Sequence, residues 1–587
     1  MSNWSLTALY KGYGEEFLND YKKAQALVNS FQETSENLAA NSNLETLVNY
    51  LKDKNQLITH LHKLISFVHL NLATNTSDPT SNNYAGQLAK LTSLLAKPEA
   101  LFSNYLASVE AELPQWIEDN PYLKEHHFVL NETLLKHQYQ LNEEVEAVIS
   151  LMEINASKAW SNLQDLLTSK SEIMLNGEKK TLPEIRNLAY DFDQAVRKDA
   201  YHKELKLYED IKDATSFALN SIKGEVVEIS KIRGYQSVLE KTLIDSRLSK
   251  ASLDAMFLAI DEYLPIFRNY LKHKASLLGH SKGLPWYDLF APIGKGDQKT
   301  YSVAEAKEYI INTFSSFDQE LADLAKTAFE DDWVDFLPKK GKVGGAFCAN
   351  LQPIKQSRIL TNFGGSISDI VTLAHELGHA YHGYQIEDFL PLNTDYTMPV
   401  AETASTFSEN IVLQAALKDS NDEEKIQLIE NSLQDLTQIV VDIYSRYLFE
   451  SAVIEKRTDS FMFADELNQI MLDAQKQTYG DGLDNDYLHP YMWLCKSHYY
   501  SVHNNFYNFP YAFGGLFALG LFAIYLKEGA AFVPKYNNIL KATTTNSCEA
   551  VALMADIDIT DPKFWKGSLD IIANRIEQFI TLTKRGI

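Results

Sequence analysis

Apolar side chains recur along most of this chain at the three- and four-residue spacing that gathers them on one stripe of an α-helix. Leu253, Met256, Phe257, Ile260, Tyr263 and Leu264 form one such stripe, and Ile426, Ile429, Leu433 and Leu436 form another. Only 16 Pro and 25 Gly punctuate 587 residues, so the periodic segments run long and the pattern predicts a mainly α-helical protein. That length exceeds one ordinary compact core, which predicts at least two lobes.

Two stretches break the helical rhythm. Within 172–180, Asn176-Gly177 separates two short flanks; both central residues of a tight turn must accept positive φ, so the pair predicts a β-hairpin. Thr181-Leu-Pro183-Glu184 follows as a capping box with proline in the first helical turn. The border between an N-terminal helical lobe (1–200) and a catalytic lobe (201–587) is placed shortly after it. The second stretch, Gly344 to Pro353 with Arg358 to Gly365, predicts a small β element directly before the segment that carries the chemistry. An open strand edge there would hold an extended peptide through main-chain hydrogen bonds; the plainer reading is a hairpin that packs beside the next helix.

That segment is His375-Glu376-Leu377-Gly378-His379. Helical residues four apart lie one turn above each other, so the two imidazoles can point at one tetrahedral ion. Glu376 projects beside them, where it can take a proton from water. Ser366 or Ser368 supplies the N-cap, and Ile370, Val371, Leu373, Ala374 and Leu377 supply the apolar face of a buried helix. Gly378 weakens a helix, a loss that close packing near a site would explain.

A catalytic zinc site takes three protein ligands and keeps one position open. The segment Pro399 to Asn410 reads as another helix, and its Glu402 and Glu409 return to nearly the same face, so on spacing alone both compete for the third position. Glu402 is assigned to the metal, one Zn2+ per chain, and Glu409 to orienting a ligand imidazole through its free N–H. For Glu409 a surface carboxylate is the plain alternative. His382 shares the face of His375 and His379 and is assigned to packing or to supporting the ligands, since a fourth ligand would close the site.

Composition narrows the setting. A net charge of −24 argues against nucleic acid as a partner, because phosphates need a surplus of Lys and Arg. Cys348, Cys495 and Cys548 are odd in number and lack metal-type spacing, which fits a reducing compartment. The opening MSNWSLTALYKGYGEEF lacks the features of a secretory signal, and the apolar run Gly514 to Leu526 is too short to span a bilayer. A cytoplasmic protein without membrane attachment is expected.

Three motifs now stand in order: His375-Glu-Leu-Gly-His379-Ala-Tyr-His382; Ala401-Glu402-Thr-Ala-Ser405 with Glu409-Asn410; and His498-Tyr-Tyr500 followed by Phe506-Tyr507-Asn-Phe-Pro-Tyr511-Ala-Phe-Gly514. Together the motifs resemble those of the thimet oligopeptidase and oligoendopeptidase F family of zinc peptidases, most of all its bacterial oligoendopeptidase F branch. The resemblance implies a two-lobed, zincin-like helical fold with a deep channel that admits short peptides, and Glu402 as third ligand. As bare sequence, Trp493 to Phe513 reads as aromatic core. The resemblance instead makes His498, Tyr507 and Tyr511 donors to the oxyanion of the reaction. A third tyrosine of the thimet-type branch is replaced near Gly514, and His503 is read as structural. The expected function is zinc-dependent cleavage of internal bonds in short peptides. A zinc metallocarboxypeptidase and a non-catalytic helical peptide-binding protein are the rivals.

Overall fold

The computed structural model describes residues 3–175, 177–294 and 299–585. After a 22-residue helix at Glu15–Glu36 comes the longer α1 (Leu44–Thr74), capped by Asn43, whose side chain accepts from the Thr46 N–H at 3.0 Å. Leu47, Leu51, Leu57, Leu61, Leu64 and Val68 of α1 are buried in a cluster that extends from Leu9 to Leu130. The predicted hairpin follows as β1 (Glu172–Leu175) antiparallel to β2 (Glu178–Thr181). Gly177 adopts φ +86°, as the tight turn requires; Asn176 lies outside the described residues. Thr181 then caps the helix Leu182–Asn187, its N–H donating to Glu184 at 2.8 Å.

The 40-residue α2 (Gln194–Arg233) runs through the boundary expected near residue 200. Around it begins the larger buried cluster, which extends from Leu182 to Phe579. The stripe at 253–264 lies in α3 (Lys250–Leu277), with Leu253, Met256, Phe257, Ile260 and Leu264 buried. Tyr263 sits at the margin, and its hydroxyl donates to Asp570 at 2.5 Å.

The expected small β element is present and holds three strands, so it is more than a hairpin. β3 (Val334–Asp335) pairs parallel with β5 (Gln356–Leu360), which pairs antiparallel with the edge strand β4 (Phe347–Leu351). Two residues are too few to leave a periodic signal, which is why β3 escapes a reading of pattern. The sheet joins the two clusters: Leu351 of β4 belongs to the N-terminal one, while Ile359 of β5 belongs to the larger one.

The remaining elements that build the site are α4 (Ile367–Ile386), α5 (Met398–Ala401), α6 (Thr403–Asp419), α7 (Asp422–Thr437), α8 (Ile443–Arg457), α9 (Phe509–Glu528) and α10 (Pro562–Arg585). A π-helical segment, Gln438–Asp442, joins α7 to α8. The expectation that the apolar run is too short to span a bilayer fails on length: the helical stretch Phe509–Ala542 has the length and apolarity to cross one. Its place in the fold accounts for this differently, since 72% of the apolar window is buried inside the protein. An α-helix apolar on all sides is what a core position demands.

A buried ion pair holds the approach to α9. Lys223 of α2 donates to Glu450 of α8 and to Asn505, both at 2.7 Å, and Asn508 donates to the other Glu450 oxygen at 3.2 Å. Asn508 in turn accepts from the Phe509 N–H at 2.8 Å and so starts α9. Both charged side chains are at most 2% exposed. Lys223→Met would strand the Glu450 charge and is expected to lower stability by about 3–5 kcal/mol. Urea denaturation checks this, with Lys223→Met/Glu450→Met recovering much of the loss.

Candidate metal centre

The helix that carries the paired histidines starts where its sequence dictates. Of the two candidate caps, Ser366 takes the position: its hydroxyl accepts from the Asp369 N–H at 3.1 Å, and Asp369 accepts from the Ser366 N–H at 2.8 Å. Ile370, Leu373, Ala374 and Leu377 are buried in the core, which leaves the opposite face of α4 for His375 and His379. Their side chains are 27% and 19% exposed, and their ring centroids lie 5.0 Å apart.

The expected single helix over 399–410 is two helices. The chain leaves helical geometry at Glu402, which ends α5 and precedes α6 with φ −88° and ψ 6°. At this break the Glu402 side chain turns toward α4. Its Oε2 lies 3.2 Å from His375 Nε2 and 3.4 Å from His379 Nε2. Ser405, one turn into α6, holds the carboxylate by donating to the same Oε2 at 2.7 Å.

Three donor atoms thus lie within 4.8 Å of one another. With metal–ligand bonds of about 2.1 Å, the edges of a tetrahedral zinc site are about 3.4 Å, so these spacings fit a small divalent cation. The donor chemistry fits as well, since two imidazoles and one carboxylate leave a fourth direction open. Burial opposes a charged His375, but its contacts with Glu402 and Glu409 outweigh burial and push its pKa up to about 10. Burial would raise the Glu402 carboxyl, yet His375 and His379 hold it far below the usual range.

Glu376 stands beside this cluster in a different state. Its Oε2 is buried and has no hydrogen-bond partner among the described residues. Burial pushes its pKa up, with Glu402 adding to the rise and the two histidines opposing it. The thiol of Cys348 on β4 lies near enough to feel the Glu376 charge; burial, then that charge, push its pKa up, so it stays a neutral thiol.

Glu409 places Oε2 3.3 Å from His375 Nδ1. Two groups that sequence reading missed surround it. Asp435 of α7 is pushed up to about 6, by burial and then by Glu409, and Arg575 of α10 is brought down to about 10 by burial against the pull of Glu409. Arg575 also donates to Asn410 at 2.5 Å. Asn350 of β4 is a third omission: its side chain donates to the His379 carbonyl at 3.2 Å. Asp435 and Arg575 lie far along the chain from the paired histidines, and Asn350, although in the β element before them, stands at no spacing that would betray it. A cavity of about 360 Å3 opens here, lined by Ala346, Val371, His375, Glu376, Glu409 and Asp435 among others.

His382 packs rather than joining the cluster. It is fully buried, stacked on Tyr396 with centroids 4.2 Å apart, and its Nε2 lies 2.7 Å from the Thr543 hydroxyl. Burial, with His379 assisting, brings its pKa down to about 3. His498, Tyr507 and Tyr511 do come together, their ring centroids 5.4 to 6.3 Å apart. Burial, then Tyr507 and Glu402, push Tyr511 up to about 12. Three residues on, a Cβ at Gly514 would meet Glu402 Cβ at 3.2 Å, so α9 leans directly on the break that carries Glu402. His503 is elsewhere, 71% exposed and 3.6 Å from Glu153.

The family model for Peptidase family M3 matches residues 187–571, and that for Oligopeptidase F matches residues 106–172. The chain is 23% identical to Oligopeptidase PepF of Bacillus subtilis, over 98% of this chain and 86% of that protein. It is 24% identical to an Oligoendopeptidase F homolog of Borreliella burgdorferi, over 98% and 97% of the two chains. In fold it is similar to a putative peptidase from Chlamydophila abortus, with TM-score 0.84 and 20% identity over 99% of this chain and 98% of that one. It is also similar to oligoendopeptidase-F from Enterococcus faecium, with TM-score 0.72 and 18% identity over 97% and 99%.

Gly378 is where α4 and α6 touch. A Cβ there would lie 2.4 Å from the Ala404 carbonyl oxygen and 2.6 Å from Ser405 Cα, both backbone atoms that cannot swing aside. Gly378→Ala is therefore expected to cost about 1–3 kcal/mol and to weaken divalent-metal binding as the helices part. Thermal denaturation and a metal titration check the pair of effects.

Proposed function

The chain belongs to peptidase family M3, and on that premise we propose that it is a zinc-dependent endopeptidase that cuts internal bonds of short peptides. The observation that carries this reading is the buried, unpartnered oxygen of Glu376 beside three converging donors. His375 and His379 through Nε2, and Glu402 through Oε2, would hold one Zn2+ per chain. When bound, zinc supplies a Lewis acid that polarises a carbonyl and lowers the pKa of water.

The protein's own groups do the rest. Glu376, its basicity raised by burial, takes the proton from the attacking water on its free carboxylate oxygen and passes it to the leaving amine. Glu409 accepts the Nδ1–H of His375, which keeps the lone pair on Nε2. His498, Tyr507 and Tyr511 offer donors to the oxyanion that develops on the scissile carbonyl, where preorganised hydrogen bonds contribute most. Ala346 lines the cavity next to His375, and β4, paired on one side only, begins at the following residue. An extended peptide laid along that edge would have its backbone carried to the metal. A cytoplasmic address accords with three unpaired cysteines.

Glu376→Gln is expected to keep one metal per chain while turnover falls by about 10²–10⁴-fold. Metal analysis beside hydrolysis of an internally quenched peptide reads both quantities, and normal turnover would remove Glu376 from the chemistry. Mass mapping of products from an N-acetylated, C-amidated peptide separates the rivals. Internal cuts support the endopeptidase, a requirement for a free C-terminus supports the metallocarboxypeptidase, and binding without chelator-sensitive hydrolysis supports the non-catalytic protein.

A further inference from the structure

A second cavity, of about 840 Å3, lies against a different face of α7 from the metal centre. Gln434, Thr437 and Gln438 line it, whereas Asn431, Ser432 and Asp435 line the cavity beside His375. The π-helical segment contributes Asp442, α8 contributes Arg446, and the chain that leads to His498 contributes Cys495 and Lys496. Much of the remaining wall is aromatic or apolar, with Tyr190, Trp286, Phe290 and Met492. A pocket of this size with a few placed charges is typical of a ligand site.

Those charges are not all matched. Arg197 donates to Asp288 at 2.7 Å, Arg186 lies 3.4 Å from Glu204, and Arg446 pairs with Asp442. Lys496 is the cation left over: among the described residues no hydrogen bond or ion pair reaches its ammonium. Burial, then the neighbouring Arg446 and more weakly Arg186, pull its pKa down, with Cys495 and Asp442 opposing them in part. The Nε of Arg446 likewise has no acceptor. An ammonium without an ion partner, beside a guanidinium whose Nε has no acceptor, faces a partly apolar space and invites an anion from outside.

Lys496 precedes His498 by two residues, so their Cα atoms are at most about 7 Å apart. Arg446 and Lys496 also lie near enough to His498 to disfavour its protonation after burial has done so. The cavity therefore adjoins the His498, Tyr507 and Tyr511 side of the metal centre. We infer that this cavity is a subsite for the peptide substrate, in which Lys496, with Arg446 beside it, receives a carboxylate of that peptide. The inference rests on the peptidase reading above. The carboxylate comes from the peptide's C-terminus or from an acidic side chain near it.

Three fluorescein-labelled nonapeptides test this on the full-length, zinc-loaded protein: a neutral sequence with a free C-terminus, the same sequence as its amide, and that amide with one Glu in its C-terminal half. Two readouts are taken, kcat and KM for hydrolysis, and equilibrium anisotropy in a Glu376→Gln background where the peptides stay intact. A carboxylate-bearing peptide is expected to bind about tenfold or more tightly than the neutral amide, with the difference in KM rather than kcat. Preference for the free terminus alone assigns the C-terminus, and retention by the Glu-containing amide assigns a side chain. The ratio is expected to fall to about one in Lys496→Met and to persist in Lys496→Arg. Because the ratio is taken within one variant, loss of folded protein cancels from it. A ratio near one in the protein with Lys496 intact, or an unchanged ratio in Lys496→Met, overturns the inference. If no peptide is cut but the anisotropy ratio holds and depends on Lys496, the endopeptidase reading falls while the carboxylate subsite stands.

Discussion

The site depends on one contact between backbones. At Gly378 the α4 helix touches the first turn of α6, closer than any side chain at that position would allow. This distance sets where the imidazoles of His375 and His379 stand relative to Glu402, whose carboxylate reaches them at 3.2 and 3.4 Å. Glycine weakens a helix interior by about 1 kcal/mol relative to alanine, and the fold accepts that loss to bring donors from two helices onto one point. The break between α5 and α6 completes the arrangement, because a residue at the joint of two helices can direct its carboxylate off the helical path.

Concentrating negative charge in a half-buried place creates an electrostatic problem that the surroundings meet in part. Glu376, Glu402, Glu409 and Asp435 lie close to one another, and Arg575 brings a fixed counter-charge near Glu409. Carboxylates crowded this way favour whichever cation enters, proton or metal. The raised His375 and the depressed Glu402 both follow from this crowding, each held in its charged form by the other.

Much of this was readable before the structure, for physical reasons that differ by element. Helical periodicity placed α3 and α7, and a four-residue histidine spacing located the helix of the candidate metal centre because one turn of helix is a local property. The hairpin at 172–180 and the caps at Thr181 and Ser366 were readable for the same reason: turn and cap geometry constrain the residues that form them. What stayed hidden is non-local or too short. Asn350, Asp435 and Arg575 reach the site by tertiary packing alone, and β3 offers two residues of pattern. The interruption at Glu402 was masked because neither Gly nor Pro stands between Ala401 and Asn410 to mark a break. Apolarity in α9 was visible, but only burial distinguishes a core helix from a membrane-length one.

The π-helical segment between α7 and α8 has a genetic corollary. A π turn accommodates one residue more than the α register would, so removing any one residue from 438–442 would let the backbone close into an ordinary continuous helix. The shortened chain would keep its hydrogen-bond ladder, and because five residues of π turn sweep roughly the angle of four in α geometry, α8 would keep the face it now turns to the core. What would go is the widened turn and one side chain, with Arg446 left near the elements it now meets. An in-frame loss of one codon here would thus be milder than the same loss inside α7 or α8, where every later position of that helix would turn by about 100°.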